Sequence, residues 1–177
     1  MRRVLLLMPL LLLSACSVIG SITTAELLGS AAGPLTSAAL GRAPGQASNT
    51  VHHGDAPVKA VCIEFNRSAP LADLVPALQA ELRSQQVSSR VYEAGTELQG
   101  CPVWLRYAAS IEWGKPPFSD NYRPYLSAAT LSLRRADGVV MATSDYRLDE
   151  EMGVSRWADT RRKLSRTVYA LLTGFEN

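Results

Sequence analysis

The residue types that most often perform catalysis are few in this chain and poorly placed for it. His52 and His53 are the only histidines, and they lie in a segment of small residues outside the predicted folded domain. A serine or cysteine nucleophile within that domain would therefore have no histidine of the domain to pair with. Two adjacent imidazoles supply only part of the tetrahedral shell of a structural zinc ion. Carboxylates occur at predicted strand ends, in Glu112 and in the run Asp149–Glu151, where they are usually solvated. The sequence therefore predicts neither an enzyme nor a metal or cofactor site.

The first sixteen residues have the three parts of an export signal. Met1–Arg3 carries two positive charges, Val4–Leu13 is an apolar run, and Leu13–Cys16 ends in small residues and a cysteine. As a helix the apolar run would rise about 15 Å, roughly half the thickness of the hydrocarbon core of a bilayer. We therefore predict that residues 1–15 are a cleaved signal peptide and not a membrane span.

The motif Leu13-Ser14-Ala15-Cys16 resembles the lipobox of bacterial lipoproteins. The resemblance implies that the Cys16 thiol takes a diacylglycerol, that a peptidase cuts before it, and that the new amine is acylated. Three acyl chains on one residue would make detachment from a membrane negligible. Ser17 resembles the default signal for the outer membrane, so the resemblance implies an anchor there, facing the periplasm. The alternative is an ordinary secretory signal with an accidental cysteine at the cleavage site.

Length, composition and charge narrow the class of the mature protein. The chain has 177 residues, of which 47% are hydrophobic and 19% charged, which is enough to bury the core of one domain with appendages. The formal net charge of +2 comes from Arg2 and Arg3, which lie in the predicted signal peptide. The remainder is balanced, and this argues against a nucleic-acid partner, since such proteins carry a basic surface.

Residues 16–57 are rich in Gly, Ala, Ser and Thr, and their only charges are Glu26, Arg42 and Asp55. Gly-Pro and Pro-Gly pairs interrupt the segment and favour coil. We predict a flexible tether between the lipid and the domain, with its apolar pieces lying on the membrane or on a partner as the alternative.

Regular hydrophobic periodicity begins after Pro57 and predicts an α+β domain over residues 58–177. The element order β-α-β-β-β-β-α favours a two-layer sandwich in which two helices cover one face of a mixed or antiparallel sheet of about five strands. The first β-α-β unit allows a parallel pair, and Asp137-Gly138 predicts a hairpin. The predicted strands are 58–65, 87–93, 101–113, 125–135 and 139–148, and the predicted helices are 71–85 and 156–173.

The pattern within these elements assigns individual side chains. Asp73 is the expected N-cap of the first regular helix, which leaves Pro76 in its first turn. Trp113 falls on the apolar face of the third strand. Ser155 is the expected N-cap of the last helix and Gly174 its stop. In that helix the predicted buried residues are Trp157, Leu164, Val168, Leu171 and Leu172, and the predicted exposed cations are Arg161, Arg162, Lys163 and Arg166.

Cys62 and Cys101 are the thiols that remain once Cys16 carries lipid. Each lies in or beside a predicted strand, and the predicted compartment is oxidising, so we predict a structural disulfide between them. The alternative is a pair of buried thiols that never meet. No Cys-x-x-Cys motif favours a redox-active pair.

The connection between the third and fourth predicted strands, residues 114–125, is longer than a tight hairpin requires. Phe118, Tyr122, Arg123 and Tyr125 are of types enriched in binding hot spots, and the prolines of the loop reduce the entropy lost on ordering. Two interpretations of the loop stay open: the aromatic side chains fold back and cap the end of the sheet, or they form a partner-binding surface.

The second half of the domain contains the motifs Tyr125-Leu126-Ser127-Ala128-Ala129, Asp137-Gly138, Arg156-Trp157-Ala158-Asp159-Thr160 and Leu171-Leu172-Thr173-Gly174. These motifs resemble those of small uncharacterised proteobacterial lipoproteins. More distantly, the element order is similar to lipoprotein activators of cell-wall synthases and to auxiliary lipoproteins of envelope lipid transport, which act by contact. The resemblance implies a non-catalytic adaptor that binds an envelope protein or peptidoglycan; the alternative is a carrier of a lipid or other small apolar ligand.

Overall fold

The computed structural model describes residues 45–54, 56–95, 100–149 and 155–176. The predicted signal peptide, Cys16 and most of the predicted tether lie outside these residues. The described chain is an α+β domain with a six-stranded mixed sheet and two helices, which confirms the predicted fold class and corrects the number of strands. In chain order its elements are β1 (Ala47–His52), β2 (Ala60–Phe65), α1 (Leu74–Ser84), β3 (Ser88–Glu93), β4 (Val103–Gly114), β5 (Arg123–Arg135), β6 (Val140–Arg147), a 3₁₀ turn (Ser155–Trp157) and α2 (Thr160–Thr173).

The strands are ordered β1-β6-β5-β4-β2-β3 across the sheet. β2 pairs in parallel with both β3 and β4, as the β-α-β unit allowed, and the remaining neighbours are antiparallel. The predicted Asp-Gly turn joins β5 to β6, where the N–H of Gly138 donates to the carbonyl of Arg135 at 2.9 Å. Gly138 has φ of +88°, a conformation that glycine adopts without a steric penalty. β1 and β3 stand at the two ends of the strand order, so they are the edge strands of the sheet.

Strand β1 lies in the segment that the sequence predicted to be tether. Its residues pair with β6, so the sheet gains a sixth strand and His52 belongs to that strand instead of to a linker. Just before it, the Gly45 N–H donates to the carbonyl of Arg162 at 3.0 Å. A Cβ at position 45 would collide with the carbonyl oxygen of Lys163 and the ring of Tyr146, so only glycine allows this approach to α2. Small residues, which favour coil in isolation, here permit close packing.

The core lies between the two helices and one face of the sheet. α1 begins after Asp73, as predicted, and its third residue Pro76 sits in the first turn, where the missing N–H has no intrahelical partner to lose. In the described residues no helix combines the length and the apolarity needed to cross a membrane. The fully buried side chains of the core include Ile63, Leu74, Leu78, Leu82, Leu105, Leu126, Leu131, Leu133, Leu164, Val168 and Leu171.

Helix α2 starts later than predicted. Its N-cap is Asp159, whose Oδ1 accepts the N–H of Arg161 at 2.9 Å, whereas Ser155 begins the separate 3₁₀ turn. An aspartate satisfies the exposed N–H groups of a first helical turn and also complements the helix dipole. Trp157 therefore belongs to the turn that precedes α2, and Gly174 ends the helix in the left-handed conformation, as predicted.

The predicted disulfide between Cys62 and Cys101 is present, with the two Cα atoms 6.3 Å apart. Cys62 lies in β2, and Cys101 lies two residues before β4. In the sheet, β2 lies between β3 and β4. The disulfide fixes Cys101, just before β4, to the neighbouring strand β2.

Replacing both cysteines by serine should lower the free energy of unfolding by about 4 kcal/mol, because a loop closed across 39 residues no longer restricts the unfolded chain. Urea unfolding of the oxidised protein and of the Cys62→Ser/Cys101→Ser variant would measure the difference. Reduced wild-type protein is the control and should match the variant. An unchanged midpoint, or alkylation of both thiols without reductant, would contradict the bond.

Candidate functional site

Strands β4 and β5 form a long hairpin whose far end extends beyond the packed core. Along the apolar face of β4, Tyr107 is buried at 5% exposure, Ile111 is half-buried, and Trp113 is 65% exposed. The predicted apolar face is therefore present, but its last member is in solvent because the packed layer ends before the strand does. The sequence pattern assigned only the face of the strand on which Trp113 lies, and its exposure depends on where the packed layer ends.

The tip of this hairpin, residues 113–123, carries exposed aromatic and cationic side chains. Phe118 is fully exposed and Tyr122 is 63% exposed. Phe118 has φ of +63°, which an aromatic residue rarely adopts, in a turn where the N–H of Ser119 donates to the carbonyl of Pro116 at 3.1 Å. The Lys115 amine lies 5.4 Å from the centre of the Tyr122 ring, within the range of a cation–π contact. The turn thus holds an apolar ring in water.

Tyr125, the last of the four predicted contact residues, does not belong to this exposed surface. It is buried at 7% exposure, and its hydroxyl donates to Glu112 Oε2 at 2.7 Å. Its ring meets the ring of Trp157 edge-on, with centroids 5.2 Å apart. Gly114 permits this packing, since a Cβ there would lie 3.3 Å from the Tyr125 ring and 3.4 Å from Trp157. Tyr125 caps the end of the sheet and fastens the base of the hairpin.

The two alternatives for the loop therefore apply to different residues. Tyr125 folds back, while Phe118, Tyr122 and Arg123 face solvent. Trp113 joins the exposed set, although the sequence pattern did not select it. Its position at the end of a long strand, next to a proline-rich loop, was the available signal.

Beneath the hairpin, Lys163 is buried at 2% exposure, which corrects its predicted place on a solvated cationic face. Its Nζ donates to the carbonyl oxygens of Leu126 at 2.9 Å and Arg156 at 2.7 Å. The same amine lies 5.5 Å from the centre of the Tyr125 ring. Helical periodicity places residue 163 beside Arg162, but the stripe that packs on β5 is wide enough to include it.

Burial lowers the pKa of Lys163 from 10.5 to about 8. The carboxylate of Asp73 opposes this shift, and the guanidinium of Arg156 adds to it. Hydrogen bonds from Tyr125 and then Ser127 lower the pKa of Glu112, so its carboxylate remains an ionised acceptor at the hairpin base. These groups hold β4, β5 and the 3₁₀ turn together.

Helix α2 also carries Arg161, which the sequence correctly left exposed. Its guanidinium donates to Glu81 Oε2 at 3.2 Å and so ties α2 to α1. Glu81 is itself buried, so this ion pair is more shielded than one at the open surface.

A second surface feature is a groove of about 580 Å³ beside the disulfide, at the start of β2 and β3. Its lining includes Ser88, Ser89, Arg90 and Tyr92. The Tyr92 ring lies 6.1 Å from that of Trp104 on β4. The groove is open and lined by polar and aromatic groups, and it lies apart from the hairpin tip. In the described parts of the chain, no three His, Cys, Asp or Glu side chains come together as metal ligands would.

Comparison with known proteins identifies no family for this chain. No protein-family model matches the sequence, and no curated protein matches it. Among solved structures, the chain is similar to the dodecamer of a PelC variant from Paraburkholderia phytofirmans, with 14% sequence identity and a TM-score of 0.41. The match covers 68% of this chain and 96% of the PelC chain. A likeness this distant assigns neither a family nor a function.

The lowered pKa of Lys163 predicts that stability rises with pH. Below about pH 8, the Lys163 amine is protonated in both the folded and the unfolded chain, and the folded chain bears the full cost of burying an ammonium ion. Between pH 8 and 10.5, the amine is deprotonated in the folded chain but still protonated in the unfolded chain, so stability rises. From about pH 7.5 to 9.5 the free energy of unfolding should increase by roughly 1–2 kcal/mol. The measurement stops at pH 9.5 because burial raises the pKa of Tyr146. At higher pH its phenol would ionise first in the unfolded chain and would lower the stability.

Urea unfolding across this range would measure the increase in wild-type protein and in two variants. Lys163→Met should abolish it, whereas Lys59→Met, at an exposed lysine, should retain it. Equal slopes in Lys163→Met and wild type would contradict the assignment.

Proposed function

We propose that this protein is a lipid-anchored envelope lipoprotein of the periplasm and acts as a non-catalytic adaptor that binds an envelope protein or peptidoglycan. The observation that carries the proposal is the hairpin tip, where Trp113, Phe118 and Tyr122 present large apolar surfaces to solvent on a fastened base. Exposed aromatic residues that cluster in this way are typical of interaction sites.

The tip combines the features that give a small surface useful affinity. Aromatic side chains bury much area while ordering few torsions, and Tyr and Trp add a polar group for hydrogen bonding. Lys115 and Arg123 flank the rings and can meet anionic groups of a partner or of peptidoglycan. Tyr125 and Lys163 hold the base of the hairpin, which reduces the entropy lost on binding.

The anchor enters the proposal through the lipobox resemblance of Leu13–Cys16. A lipidated Cys16 would keep the domain next to the membrane, so that a weak contact at the tip would act at high local concentration. Residues 17–44 would then set the reach of the domain from the outer-membrane surface.

The groove beside the disulfide favours a second candidate function, the carriage of a lipid or other small apolar ligand. Its volume suits a small molecule, and the ring of Tyr92 supplies an apolar wall. Arg90, Ser88 and Ser89 make the lining more polar than a carrier of purely apolar ligands requires. The adaptor is therefore the preferred proposal.

A photo-crosslinking amino acid in place of Phe118 should capture a discrete envelope protein or a peptidoglycan fragment in living cells, because this ring is the most exposed part of the tip. Mass spectrometry would identify the product. Tyr122→Ala or Trp113→Ala in the same chain should reduce its yield about tenfold, as expected for loss of a hot-spot side chain.

The matched control is the same crosslinker at Val139, which is 51% exposed on the β5–β6 hairpin and lies outside the tip. Equal products from both positions, or none from Phe118, would contradict the adaptor. A lipid that copurifies with the protein, and is lost on Tyr92→Ser substitution, would favour the carrier.

Replacing Cys16 by serine should move the protein from the membrane fraction to the soluble periplasmic fraction, because no thiol remains to take the diacylglycerol. Fractionation of cells labelled with radioactive palmitate would measure both location and lipid. Cys62→Ser is the control and should stay labelled. Unchanged membrane association of the Cys16→Ser variant would contradict the anchor.

A further inference from the structure

The two edge strands differ in whether their outward main-chain N–H and C=O groups have hydrogen-bond partners. At β1, the register shifts between Ser48 and Val51, and Asn49 has φ of +52°, so the strand is bulged. The Thr50 N–H is satisfied by the side chain of Glu176 at 2.6 Å. Bulges and covering side chains are ordinary means by which an edge strand avoids pairing with another chain. The β1 edge is therefore closed.

Within the described residues, β3 has no bulge, and no side chain binds the outward main-chain groups of Ser89 and Val91. All six residues of β3 pair with β2 in an unbroken parallel register, without a bulge or a proline. The Ser88 N–H donates to the Lys59 carbonyl at 2.9 Å, so the main-chain groups of Ser88, Arg90 and Tyr92 point toward β2. Those of Ser89 and Val91 point outward, and within the described chain they have no hydrogen-bond partner. The β3 edge can accept another strand.

We propose that the β3 edge binds β3 of a second copy of this chain, as an antiparallel pair about a two-fold axis at Val91. In an antiparallel ladder, residues whose main-chain groups point outward must lie opposite one another to exchange hydrogen bonds. Placing Val91 opposite Val91 of the second copy satisfies this condition and forms a reciprocal pair of bonds at the axis. The result is a continuous sheet through both copies.

The same register makes the side chains self-complementary, and this selects a second copy over an unrelated strand. Val91, 37% exposed in the single chain, meets its own apolar counterpart. Arg90 lies opposite Tyr92 of the second copy, at a non-hydrogen-bonded position where side chains approach most closely. Arg90 has no ion-pair partner in the described residues, so its guanidinium can lie over that tyrosine ring. The two-fold axis repeats each contact.

Sedimentation velocity of the full chain in detergent should detect a dimer whose population grows with concentration between roughly 5 and 200 µM, because one strand pair buries less area than a standard interface. Val91→Lys and Val91→Glu should each raise its dissociation constant by about tenfold or more, since like charges would face each other at the axis. Both variants should fold, because the Val91 side chain is 37% exposed in the single chain. An equimolar mixture of the two should restore dimers.

Oxidative crosslinking gives an independent readout. Val91→Cys should form a covalent dimer, because directly opposed residues lie within the Cα separation that a disulfide tolerates. Val51→Cys, exposed on the closed β1 edge, is the matched control and should not. Three results would each overturn the proposal: a wild-type monomer throughout the range, a dimer unaffected by either charged variant, or equal crosslinking from positions 91 and 51.

Discussion

Lys163 donates from inside the core to the carbonyl oxygens of Leu126 and Arg156, and so joins α2 to β5 and to the 3₁₀ turn. Each acceptor is a main-chain group that would be costly to leave unpaired in a buried site. The base of the β4–β5 hairpin depends on this contact, because Tyr125 packs over the same amine.

The hairpin shows how a small domain can combine a rigid base with an exposed tip. Core packing ends near Ile111, but the strand ladder between β4 and β5 continues to the pair Gly114–Arg123. Main-chain hydrogen bonds therefore carry the aromatic tip beyond the region where apolar burial stabilises the fold. A ladder is sufficient there because its near end is held by Tyr125, Trp157 and Lys163.

Much of the architecture could be predicted because it depends on local pattern. The alternation of Val61 and Ile63, the helix start at Asp73 and the turn at Asp137-Gly138 are each fixed by neighbours a few residues away. The Cys62–Cys101 bond followed from an even pair of thiols near strands. Three of the four predicted contact residues, Phe118, Tyr122 and Arg123, are exposed at the tip. Strand β1 escaped prediction because its small residues give no periodic signal.

By itself, the sequence determined the fold class, the disulfide and the loop that carries the aromatic tip, since residue order and local spacing specify them. Only the tertiary structure decided which aromatic rings of that loop are buried and which are exposed. It also decided that Lys163 is buried, that Trp113 is exposed, and that one sheet edge is closed while the other is open. The physical reason is that burial depends on what lies across from a residue. Segments far apart in the chain set these contacts, such as the end of a helix over a strand or the hydrogen bond from Thr50 to Glu176.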